Sequence, residues 1–264
     1  MFDLTPVEAV FAASLLGLII GSFISMLTWR LPRMLYQDTA LKTHAITFGR
    51  SKCPHCHTTL SWYQLIPVFS WFLSRGKCLS CQTAISTRYP LIEVSTMIMT
   101  GCLVWYFGLT YSALFAVSFS WGLITILIID IEHQLILDSL SLPLMWAGLL
   151  INSQSYYVSA EQAILGAAMG YLLLWVLFHS FKLLTGKEGM GYGDFKLLAA
   201  LGAWFGAMAI PQIILIASLS SLVIGGGLAL LKIKKLEDPI PFGPFLAIGG
   251  WSCLIFGNQL IQSL

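Results

Sequence analysis

Two aspartates stand out in this chain as residues able to do chemistry. Asp130 closes the apolar run Trp121–Ile129, and Asp194 ends Gly189-Met190-Gly191-Tyr192-Gly193-Asp194, just ahead of another apolar segment. An ionisable side chain at the edge of a hydrophobic span is costly to place and points to function by default. Two carboxylates brought close share one proton, because like charges at short range resist ionising together. The ionised member can then activate water while the protonated one donates to a carbonyl oxygen. Each has a plainer reading. Asp194 can be a helix N-cap, accepting free backbone N–H groups at the positive end of the helix dipole. Its neighbours Gly189, Gly191 and Gly193 suit a loop needing positive φ or close backbone approach. Asp130 can form a salt bridge to a loop lysine, and Glu132, His133 and Asp138 compete for any role it has. His133 would share its face if the helix continued.

The second constellation is cysteine. Cys53-Pro54-His55-Cys56 and Cys78-Leu79-Ser80-Cys81 are two Cys-x-x-Cys knuckles. Four thiolates at such spacing suit tetrahedral Zn²⁺, and a closed four-sulfur shell is structural rather than catalytic. The rival is a pair of disulfides, which a reducing cytosol disfavours. His55 and His57 read as bystanders. Cys102, Cys253 and His179 lie in apolar segments and read as packing groups.

The elements that must position these residues are hydrophobic. The chain is 57% apolar and 10% charged, with a mean hydropathy of +0.82. A soluble domain carries roughly a quarter charged residues, so this is an all-α polytopic membrane protein. The formal charge of +2 gives no sign of a nucleic-acid partner; the lipid bilayer is the partner. Residues 7–29 predict a first membrane helix, lacking the basic start and cleavage site of a signal peptide. Seven further spans are expected near 91–107, 113–130, 139–151, 161–181, 195–209, 212–231 and 244–262, with a turn at Pro211 between the sixth and seventh of all eight. Domains follow as 1–29, a polar 30–90 block, and a seven-helix bundle over 91–264. About 60 residues hold a core poorly without a staple, which the four cysteines supply.

Charge orients this arrangement. Arg30, Arg33, Lys42, Arg50, Lys52, Arg75, Lys77 and Arg88 put 8 of 14 basic residues in the 30–90 block. With that block cytosolic, Lys182, Lys187, Lys196, Lys232, Lys234 and Lys235 fall on or beside the same side, and the opposite loops carry no Lys or Arg. That is the positive-inside pattern. Asp130 then ends the third span and Asp194 starts the sixth, at similar depth on the cytosolic face.

With these residues in hand, the chain resembles the type IV prepilin peptidases of the GxGD aspartyl protease class. The likeness runs through Gly21-Ser22-Phe23, Arg30-Leu31-Pro32, Ile66-Pro67, Ser70-Trp71, Gly76-Lys77-Cys78, Arg88-Tyr89-Pro90 with Glu93, Asp130-Ile131, Asp138, Leu142-Pro143-Leu144, Gly191-Tyr192-Gly193-Asp194-Phe195-Lys196-Leu197 and Pro241-Phe242-Gly243-Pro244-Phe245. The resemblance implies about eight transmembrane helices with a small cytosolic zinc-binding domain between the first two. It puts the catalytic aspartates on Asp130 and Asp194, and the zinc ligands on Cys53, Cys56, Cys78 and Cys81. It implies cleavage of a basic leader from type IV prepilins or pseudopilins at a Gly/Phe bond, on the cytosolic face of the bacterial inner membrane. N-methylation of the new terminus by S-adenosylmethionine would follow. Departures are Ser25 and Leu65, where the family has Asn, and Leu137, where it has Pro.

Helix ends suggest that Asp194, at a helix start, is the base and Asp130, at a helix end, the acid. Glu132, Asp138 and Glu188 are candidate partners for leader Lys or Arg, the plain reading being solvated loop charges. No glycine-rich loop follows a strand, so no Rossmann-type site is visible for the methyl donor; Glu93 and the Gly76 region are its candidates. Two other readings compete. A proton-coupled transporter would favour inverted repeats and a midplane site, but no internal repeat is apparent and both aspartates sit at one face. A membrane scaffold with a partner-binding zinc knuckle would leave both aspartates idle.

Overall fold

The computed structural model describes residues 5–35, 50–187, 189–231 and 240–257. Lys42, Lys232, Lys234, Lys235 and Glu188, on which parts of the charge reading fall, lie outside them. The regular elements among the described residues are helices, with two isolated antiparallel bridges, Lys52 to Thr59 and Lys77 to Ala84, and the chain divides into two compact units, Met1–Trp121 and Gly122–Leu264.

In the first unit, α1 (Pro6–Leu35) runs past the expected end of the first span, so Arg30 and Arg33 lie on its last turns. Arg33 stacks on the Trp29 ring, 3.1 Å from its centroid, and sits where a helix C-terminus favours a cation. Helix α1 packs along α3 (Arg88–Phe107). Between them, a 3₁₀ turn at Trp62–Leu65 and the short α2 (Phe69–Leu73) belong to the cysteine segment. Polar groups fasten the pair: Arg88 donates to Ser25 O at 3.3 Å and to Thr28 Oγ1 at 2.7 Å.

Helix α4 (Tyr111–His133) belongs partly to each unit. The second unit continues with α5 (Asp138–Asn152), α6 (Ala160–Thr185), α7 (Tyr192–Phe205), α8 (Ile210–Leu230) and α9 (Gly243–Phe256). Its centre is α7, on which Phe195, Leu197, Leu198, Leu201 and Trp204 are all buried. The backbones of α6 and α7 approach so closely at Gly166 and Gly202 that a Cβ on either would overlap a carbonyl of the other. Gly170, one turn on from Gly166, lies against Leu198, giving the small-xxx-small spacing that lets membrane helices touch. Asn152, fully buried, donates to Ala203 O and Trp204 O at 2.8 and 2.9 Å and accepts from Tyr157 and Val158 N–H. The end of α5 is thereby bonded to the end of α7.

Among the described residues five helices are long and apolar enough to cross a membrane: Pro6–Met34, Arg88–Phe107, Tyr111–His133, Ala160–Thr185 and Ala207–Leu228. The expected spans at 139–151, 195–209 and 244–262 coincide with α5, α7 and α9, which have 15, 14 and 14 residues. At 1.5 Å per residue these are roughly 21–23 Å long, short of a hydrocarbon core of about 30 Å. One boundary moves for a clear reason. The expected turn at Pro211 falls instead at Gly206, whose φ of 81° ends α7. Pro211 is the second residue of α8, where its missing N–H has no partner to lose.

Candidate active site

The second unit brings Asp130 and Asp194 into one buried site. Asp130 lies within the last turn of α4 and is 5% exposed; Asp194 is 7% exposed. The charge of Asp130 acts on the Asp194 carboxyl, so the two are within electrostatic reach across 64 positions of sequence. His133 is exposed at the helix end and does not join them.

Asp194 is not an N-cap. Helix α7 starts earlier than expected, with Gly191 as the capping residue, and Asp194 is in its first turn. From there its Oδ2 accepts the Gly191 N–H at 3.3 Å. This is half of a capping box, since glycine has no side chain to return the bond. Close approach, not positive φ, explains the best-placed glycine of this loop. A Cβ on Gly193 would come 2.6 Å from Cβ of Ile136, so only a bare backbone fits there.

Asp130 makes its bond to a residue given no role by sequence reasoning. Its Oδ2 accepts the backbone N–H of Gly243 at 2.9 Å, and Gly243 is the first residue of α9. A Cβ on Gly243 would sit 2.6 Å from that oxygen and 3.2 Å from Ile136 Cδ1. Ile136 thus lies against the first turns of both α7 and α9. The readable signal was Phe242-Gly243-Pro244, since proline in a first turn marks a helix start. Each carboxylate therefore has a helix N-terminus beside it. The acid and base roles expected from helix ends lose their basis, because the α9 dipole offsets the C-terminal position of Asp130.

Among the described residues no lysine pairs with Asp130, and the loop lysines at 42, 232, 234 and 235 lie outside them. Lys196 Nζ binds both oxygens of Asp138, at 2.6 and 2.7 Å, joining the starts of α5 and α7. Glu132 is exposed. Leu137, standing for the family's proline, precedes α5 with φ −79° and ψ 132°, a conformation proline also takes.

In the first unit the four knuckle cysteines converge, their sulfurs all within 4.8 Å of one another, and can hold a metal ion. All are free thiols, with Cys53 and Cys81 Sγ 3.9 Å apart. Zn–S bonds of about 2.3 Å in a tetrahedron put sulfurs about 3.8 Å apart. The knuckles repeat one another, a local repeat that sequence reasoning overlooked although Lys-Cys-x-x-Cys-x-Thr occurs twice. Cys53 N–H donates to Thr58 O, and Cys78 N–H to Thr83 O. His57 and Gln82 then turn the chain at φ 56° and 60°. Thr58 and Thr83 lie 3.3 Å from the sulfurs of Cys56 and Cys81, and these hydroxyls hold both thiols below their ordinary range.

Glu93 and Gly76 are both engaged in the fold. Buried Glu93 accepts the Val68 N–H at 2.7 Å, tying the cysteine segment to α3. Gly76, with φ 66°, lies under the Trp71 indole, whose Nε1 donates to Ile85 O at 3.1 Å. Ser25 is 1% exposed and its hydroxyl has no partner among the described residues.

Comparison with known proteins fits this geometry. Residues 15–107 match the bacterial peptidase A24 N-terminal domain, and residues 117–226 match the type IV leader peptidase family. A prepilin leader peptidase/N-methyltransferase of Stutzerimonas stutzeri is 43% identical, the match covering 98% of this chain and 94% of the relative. Proteins of the same name from Pseudomonas aeruginosa and Aeromonas hydrophila are 41% and 42% identical, over 98% and 94% of this chain and 94% and 91% of theirs. No solved structure matches.

Proposed function

We propose, because this chain belongs to the type IV leader peptidase family, that it is a membrane-embedded aspartyl endopeptidase with Asp130 and Asp194 as its catalytic pair. Its substrates are prepilins or pseudopilins, cleaved between leader and mature chain. It then methylates the new amino terminus, with S-adenosylmethionine as donor. The observation that carries the peptidase reading is the burial of two carboxylates within reach of each other, each held by a glycine N–H at a helix start.

Peptide hydrolysis needs one carboxylate ionised and its partner protonated. Two neighbouring acids in a poorly solvated site share one proton for that reason. The bond from Gly243 engages Oδ2 of Asp130 and leaves the other oxygen for water or for Asp194. The ionised acid takes a proton from the attacking water; the protonated one donates to the scissile carbonyl oxygen. The pair titrates as a unit, so acid and base are not assigned singly.

Eight helices, including the short α5, α7 and α9, lie in the bacterial inner membrane, with the dyad at the cytosolic face. The one-sided distribution of Lys and Arg supports this. Cys53, Cys56, Cys78 and Cys81 hold a structural Zn²⁺, which would staple a segment too small for its own core. Methyl transfer rests on the name shared by the relatives. No carboxylate pair is required by a scaffold, and nothing observed favours a transporter.

Incubating purified protein with a prepilin should give a shortened product and a methylated terminus. Asp130→Ala and Asp194→Ala should each leave the precursor intact. A variant that still trims it would end the assignment.

A further inference from the structure

The cysteine segment carries an outer surface that its own fold does not use. Trp62, Phe69, Phe72 and Leu73 are 78%, 65%, 66% and 84% exposed. Tyr63, Leu65 and Ile66 are also exposed, and neither the 3₁₀ turn nor α2 has a buried residue. Trp71, in contrast, is turned inward against Gly76 and Ile85. Seven large apolar side chains within twelve residues form a patch of the kind that marks a partner or a membrane. Charge identifies which. From residue 50 to 90 there are five cations (Arg50, Lys52, Arg75, Lys77 and Arg88) and no Asp or Glu. Arg75 and Lys77 follow in Leu73-Ser74-Arg75-Gly76-Lys77, and both are exposed. The segment is also tethered at each end by a candidate membrane helix, α1 before it and α3 after it.

We propose that this surface lies on the anionic leaflet of the bilayer, with Trp62, Phe69, Phe72 and Leu73 at headgroup depth and Arg75 and Lys77 on lipid phosphates. Trp62 and Tyr63, with an apolar body and a polar edge, settle at the membrane–water boundary, while Phe69, Phe72 and Leu73 bury apolar surface at the headgroup–acyl border. Basic residues beside them add attraction to anionic headgroups. Glu93, through Val68, fixes the segment to α3, so lipid docking would set the height of the metal-binding knuckles over the membrane. The inference rests on α1 and α3 as spans, and stands or falls apart from the peptidase assignment.

The test uses the full-length protein in lipid nanodiscs, with and without phosphatidylglycerol, whose acyl chains are brominated near the headgroup. Subtracting the emission of Trp62→Phe isolates Trp62. Its emission should fall about twofold or more in brominated discs. The quenching should be stronger with phosphatidylglycerol, and Arg75→Gln/Lys77→Gln should remove that difference. Equal Trp62 emission in brominated and unbrominated discs would overturn the proposal, as would quenching indifferent to lipid charge. A prepilin peptide that shields Trp62 from acrylamide in neutral detergent, without bromine quenching in discs, would make the patch a substrate surface and also overturn it.

Discussion

Asp130 gains its partner from a residue 113 positions away, through the N–H of Gly243. Hydropathy marks where a carboxylate meets a greasy segment, so both aspartates were legible as candidates. The identity of the group each one faces was not, since no local pattern links α4 to the start of α9. The contact makes Gly243 a positioning residue. Gly243→Ala would push a methyl group against Oδ2 of Asp130. Leader cleavage should fall by about a hundredfold, the scale on which a misplacement of about 1 Å acts. Yield and thermal unfolding of the purified protein should stay near the parent. Asp130→Asn and Asp194→Asn should each lower the rate by at least about a hundredfold, scored by conversion of precursor on a gel. Circular dichroism should show unchanged helix content.

At the scale of elements, α7 is the part that sets the site. It is buried on nearly every side, held to α6 at Gly166 and Gly202 and to α5 by Asn152. Gly202→Val should prevent the close approach and destabilise the protein by about 1–3 kcal/mol or more, read as a lower melting temperature in detergent. Asn152→Ala leaves two backbone N–H groups and two carbonyls without their partner. Each orphaned group costs about 1–3 kcal/mol in a protein interior, although measured losses in membranes run smaller. Its melting temperature should drop as well. Conversely, Lys196→Met removes only a partly exposed ion pair with Asp138 and should change stability by less than about 1 kcal/mol. The helices themselves were visible as apolar runs. The break at Gly206 was not, because Pro211 is the louder punctuation in sequence while a first-turn proline is compatible with a helix.

For the whole molecule, two expectations can be measured. Metal analysis of purified protein should find about one Zn²⁺ per chain, the capacity of one four-cysteine shell, and none in Cys53→Ser/Cys81→Ser. Alkaline phosphatase fused after Thr110 should be active, and fused after Gln134 inactive, if the basic face is cytosolic. The reverse pattern would invert the topology. Segment hydropathy, the sidedness of Lys and Arg, and the paired cysteine knuckles were all readable from the chain alone, for they depend on residues adjacent or nearly so. Tertiary structure alone decided that Asp130 and Asp194 come within electrostatic reach of each other, that α9 turns its N-terminus toward one of them, and that Glu93 is engaged by Val68. Contacts of that kind arise from the packing of whole helices, a sum of many weak interactions between distant positions that no short stretch of sequence encodes.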